Sequence, residues 1–196
     1  AASDVYKRQL LNLEVKYGNV DINNVTKANL DFGYCGKVSV GNANLLNADN
    51  KYSNMEIKNC SQLNLENKYG NVKIESLDRG NMEIKYSEAT IGSVKESLDV
   101  SELAYSSLNI KELSANFKSL TIDARYGNLN VNIPSKASFK VAAENMKYGN
   151  HNVKGFNVTK TSTEDKTNHY YEINGGNNGR IYFDGNNYSN ISVKAL

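Results

Sequence analysis

Apolar and polar residues alternate along most of this chain, and the alternation slips at regular points. Leu11, Leu13, Val15 and Tyr17 keep a period of two, the period of a strand whose side chains point to opposite faces in turn. The phase then shifts by three residues to Val20 and Ile22, and by three again to Val25. Each slip predicts a corner between short strands. Helical spacing is not sustained in any stretch, so the pattern predicts an all-β chain.

The same unit returns along the whole length. "KYGNV" at Lys16–Val20 recurs at Lys68–Val72, then as "RYGNL" at Arg125–Leu129 and "KYGNH" at Lys147–His151. The second apolar residue after each corner falls at Ile22, Val40, Ile57, Ile74, Ile91, Ile110, Val131, Val153 and Val193, and Ile173 marks a degenerate tenth copy. A tyrosine precedes most corners: Tyr17, Tyr52, Tyr69, Tyr86, Tyr105, Tyr126, Tyr148 and Tyr188, with Cys35 beside a displaced Tyr34. Beyond the anchor stands another apolar column that includes Val25, Ala43, Cys60 and Leu77.

A unit this short cannot bury an apolar face by itself, so copies must pile on one another. The expected fold is a single-domain, single-stranded parallel β-helix, right-handed, with about 9–10 coils of 17–22 residues. The tyrosines share the phase of the aliphatics before them, which predicts an internal column of stacked rings. Gly-Asn would turn each corner, since Gly takes positive φ freely and Asn tolerates it. Stacked asparagines would hydrogen-bond between coils, as amide ladders do in cross-β assemblies. A solvent-facing tyrosine strip that grips a ligand is the alternative.

Composition refines this picture. Hydrophobic residues make up 39% of 196, Trp is absent and the net charge is only +2. Disordered chains are poor in aromatics and strongly charged, whereas this one has 13 tyrosines; the reading is an ordered fold with a thin core. Residues 1–9, "AASDVYKRQ", read as the in-frame translation of a sequencing-library adapter, so the solenoid domain is taken as 10–196. No apolar run approaches the length of a membrane span. Cys35 and Cys60 have no CxxC partner, which argues against a zinc site. Both are expected to be small buried hydrophobes without a disulfide.

The Tyr-Gly-Asn-apolar-x-Ile repeat resembles the bacterial adhesin-domain family of unknown function. "NIP" at Asn132–Pro134, "NGG" at Asn174–Gly176 and "NYSNISV" at Asn187–Val193 resemble that family's final coils. "GYCGKVSV" and "AYSSLNI" depart from its turn. The resemblance implies a secreted or cell-envelope location in a bacterium and a structural or binding role. It supplies no catalytic residues to carry over.

Candidate chemistry is sparse. Lys16, Lys51, Lys68, Lys85, Arg125 and Lys147 form a basic column beside an acidic one of Glu14, Asp49, Glu66, Glu83, Glu102 and Asp123. Each rail can neutralise the other, so nucleic acid is not an expected partner. Asp78–Arg79 and Asp123–Arg125 are the best local candidates for a carbohydrate-active β-helix enzyme on acidic polysaccharide, the alternative function, with an envelope-sensing module third. His151 fills an apolar wall position and no Ser-His-Asp or HExxH order emerges. The main expectation is a non-catalytic module without a cofactor or a bound metal. The irregular segment 154–184 is read as a cap built on a hairpin around "NGGNNG". Otherwise it is a loop carrying Tyr170, Tyr171, Arg180 and Tyr182 toward a surface glycan or protein.

Overall fold

The computed structural model describes residues 10–186 and 188–196; the adapter-like stretch 1–9 lies outside them. Thirteen strands make up the described chain. They are β1 (Leu10–Lys51), β2 (Asn54–Lys68), β3 (Val72–Lys85), β4 (Glu88–Ala104), β5 (Ser107–Leu113), β6 (Ser119–Arg125), β7 (Asn128–Ile133), β8 (Phe139–Glu144), β9 (His151–Lys154), β10 (Val158–Thr163), β11 (His169–Ile173), β12 (Gly179–Asp184) and β13 (Asn190–Ala195). None of the described residues forms a helix long and apolar enough to cross a membrane.

The strands stack as a parallel β-solenoid. One buried column reads Val38, Met55, Val72, Ala89, Leu108, Leu129 from rung to rung. On the other wall Leu46, Leu63, Gly80, Leu98 and Leu120 follow in register. About five turns, from Lys37 to Arg125, stack in simple chain order, and β1 supplies further rungs before them. The polar faces carry the expected amide ladder: Asn12, Asn29, Asn47, Asn64 and Asn81 are linked at 2.7–3.0 Å. Cys35 and Cys60 are buried and free, and burial pushes the Cys60 thiol up to about 11.

The corners differ from expectation in two ways. The tyrosines do stack, with ring centroids 4.7–5.1 Å apart from Tyr34 to Tyr126, but on the outside, where they are 41–72% exposed. Tyr itself takes the left-handed conformation, φ 50–70° at Tyr17, Tyr34, Tyr52, Tyr69, Tyr86, Tyr105, Tyr126 and Tyr188. A positive φ breaks the pleat and throws the next alternate side chain outward, so the phase argument fails at this residue. The residue after it turns inward instead: Ser53, Ser87, Ser106 and Ser189 are buried there.

Glycine at that inward position serves close approach more than φ. A Cβ on Gly70 would lie 2.0 Å from the Ser53 carbonyl oxygen, and one on Gly149 1.8 Å from that of Ser189. The serines use their hydroxyls where glycine leaves space. Ser87 Oγ donates to the Lys85 carbonyl at 2.7 Å, while Ser106 Oγ accepts from the Ser87 N–H at 3.0 Å. Each bend is thereby tied to the next, which holds the tyrosine in its unfavourable region.

After β7 the stack no longer follows chain order. β12 lies between β6 and β8, and β13 lies between β7 and β9, all parallel. The turn that carries β12 and β13 therefore fills a slot between two earlier turns, and Tyr188 stacks between Tyr126 (5.8 Å) and Tyr148 (4.8 Å). The end is closed by β11, antiparallel to β8, and by β10, antiparallel to β11. The hairpin expected around "NGGNNG" is corrected by this arrangement. β11 and β12 flank that turn, but β8 lies between them. The true hairpin is β10–β11, whose connection is pinned by Asp165 Oδ1 accepting from the Thr167 and Asn168 N–H groups.

Candidate functional site

The outward columns change character at the capped end. Along the rod one of them carries Asn47, Asn64 and Asn81; past Thr121 it continues as Tyr182, Ala142, Tyr170 and Ser162. The next column reads Arg180, Lys140, Glu172 and Lys160 across the same four strands. Strand alternation thus places two phenol rings on either side of a small residue, above a charged row. A hollow of about 540 Å³ opens there.

Glu144, two residues beyond Ala142 on β8, fixes both rings. Its Oε1 accepts from the Tyr170 hydroxyl and its Oε2 from the Tyr182 hydroxyl, each at 3.0 Å. Partial burial, and then these bonds to a carboxylate, push both phenols up to about 12. Both stay protonated donors throughout the physiological range. Lys140 is paired with Glu172 at 3.3 Å. Among the described residues Arg180 has no carboxylate partner, and its side chain is exposed beside the hollow.

The four residues singled out in the sequence come near one another, but not in one role. Tyr170, Arg180 and Tyr182 share the outward face. Tyr171 borders the hollow yet belongs to the opposite phase: it pairs with buried Val141, and its ring sits 6.0 Å from His151. Sequence reasoning missed Glu144 and Ala142. The signal was present in the alternation of "FKVAAE", but only the pairing of β8 between β11 and β12 gives those residues their place.

No family model, no curated protein and no solved structure matches this chain.

Most of the charged rails are absorbed by pairing along the rod. Lys51 closes on Asp49 at 2.7 Å, and Lys85 bridges Glu83 and Glu102 at 2.8 and 2.6 Å. Glu56 pairs with Lys37 at 2.8 Å. Asp78 is held by Lys95 at 2.7 Å, and the Arg79 guanidinium reaches Gln62. Asp123 stands opposite Asp184, and burial followed by that like charge raises its carboxyl above the usual range. No group of three metal-ligating side chains is present among the described residues. His151 ends the apolar column after Leu129 and Ile191, and the His169 ring covers it at 3.8 Å. Burial, then the neighbouring imidazole, lowers its pKa.

Proposed function

We propose that this chain is a non-catalytic binding rod of the bacterial cell envelope, holding an acidic saccharide at its capped end. The single observation behind this reading is the pair of rings, Tyr170 and Tyr182, fixed by Glu144 around Ala142, with Arg180 alongside and without a carboxylate partner among the described residues. Aromatic walls with a few fixed polar groups are the usual make-up of a small-ligand site. A guanidinium without a partner suits the carboxylate of a uronic or similar sugar, which it can meet in a bidentate way. The adhesin-like role and the envelope location rest on the likeness of the repeat, and a reading frame extended upstream into an export signal is what that location predicts.

Immobilised acidic and neutral oligosaccharides test the ligand class directly. The protein should be retained by carboxylated sugars, and Arg180→Ala should weaken retention by about tenfold, the worth of one charge-assisted contact. Retention that ignores Arg180→Ala, or no retention on any acidic sugar, would sink the reading. Shortening of the sugar chains during the assay would instead favour the carbohydrate-active alternative.

A further inference from the structure

We propose that the groove beside the tyrosine ladder is a second site, a track for a linear, uncharged polysaccharide. The ladder costs backbone energy at every rung. A left-handed φ is unfavourable on a residue with a Cβ, and Gly or Asn would take it more easily. Stacking of neighbouring rings offsets this cost. Stacking uses only the ring faces, however, and phenylalanine would supply it equally.

What tyrosine adds is a row of hydroxyls. Among the described residues no ladder hydroxyl bonds to a protein group, in contrast to Tyr170 and Tyr182 at the cap. The rings stand 4.7–5.1 Å apart, so no flat ligand can slide between them. They present their edges, which are the positive side of the ring quadrupole and favour oxygen atoms.

A groove of about 490 Å³ runs along three of these edges, Tyr86, Tyr105 and Tyr126. Asn71, Glu88, Ser107 and Asn128 also line it, while the lining Ser87 and Ser106 are engaged in the corner bonds already described. One carboxylate and no cation line it. That charge pattern is wrong for a nucleic acid or a polyanion, which need lysine or arginine. An extended peptide presents the same face every two residues, about 6.7 Å, out of step with the rungs. A chain of pyranoses linked across their rings turns over at each sugar and presents the same face about every 10 Å, which spans two rungs, and it offers hydroxyls at each step.

Sedimentation of the full chain with insoluble cellulose and with chitin tests this. The protein should pellet with at least one of them and stay bound in high salt. The variant Tyr86→Phe/Tyr105→Phe/Tyr126→Phe, which keeps the stack and removes the hydroxyls, should lose at least about tenfold in affinity. Absence of pelleting with either polymer, release by salt, or a triple variant that pellets like the parent would each overturn the proposal. A second readout is independent of the variants: soluble cello- or chito-oligosaccharide, whichever polymer bound, should change the ladder's tyrosine fluorescence, and an unchanged spectrum at saturation also overturns it.

Discussion

A tyrosine at a left-handed corner is held by neighbours rather than by its own preference. Tyr105 shows the balance: its ring lies 5.1 Å from Tyr86 and 4.9 Å from Tyr126, and its N–H reaches the Arg125 carbonyl at 3.0 Å. Replacing it with alanine removes two stacking partners and leaves the strained φ, for a loss of about 1–3 kcal/mol. Glycine removes the same contacts but relieves the strain. The expected order of stability is therefore parent, then Tyr105→Gly, then Tyr105→Ala, with about 1 kcal/mol between the last two. Urea midpoints of the three proteins check it, and an alanine variant as stable as the glycine one would contradict the strain argument. The sequence made the ladder legible as a column, because Tyr recurs at one phase. Its direction was not legible: period-two counting holds only while φ stays negative, and the residue that breaks the count is the tyrosine.

Elements along the rod were easier to read than elements at its end. From β2 to β5 the interval between copies equals the interval between paired residues, so Met55 meets Val72 as the repeat requires. At the cap the same apolar signals are used in another order, and β11 turns antiparallel. The cap is also where the chain's two histidines meet, His151 at the end of a buried column and His169 from β11 above it. Its dependence on pH follows from the lowered pKa of His151. The unfolded chain takes up the proton first, near the ordinary value of about 6.5. The contribution of this pair is therefore complete above that value and is lost as the pH falls through the lower native pKa. Protection factors of the β9 and β11 amides, which allow for the slower intrinsic exchange in acid, should fall between pH 7 and mildly acidic solution. In His151→Leu, which continues the apolar column, that added acid sensitivity should vanish; an unchanged profile would assign it elsewhere.

At the scale of the whole molecule, two kinds of contact coexist. The regular turns join residues 17 to 22 apart, as in Val38 with Met55 and Leu98 with Leu120. The inserted turn joins residues much further apart, such as Leu129 with Ile191. Repeat arrays gain stability from neighbour to neighbour and can lose one end without the other. Removing residues 179–196 should strip protection from β8, β9 and β11 while β2 and β3 exchange as slowly as before. Mass-resolved hydrogen exchange on the truncated chain would show it, and uniform loss of protection would mean that the rod folds as one unit. The site at the cap depends on the same insertion, because Tyr182 and Arg180 arrive on β12 and only there meet Ala142, Lys140 and Glu144. No local motif encodes that meeting, which is why the sequence named three of its residues without the carboxylate that fixes them.

The rung built from β12 and β13 is seated between two that precede it in the chain. A nascent chain can wind its regular turns as they leave the ribosome, yet the tip stays open until the stretch through Ala195 has emerged and been threaded into its gap. A product of interrupted translation would carry two bare edges, ready templates for proteolysis or for a sister chain. The architecture thus makes an unfinished copy recognisable as unfinished.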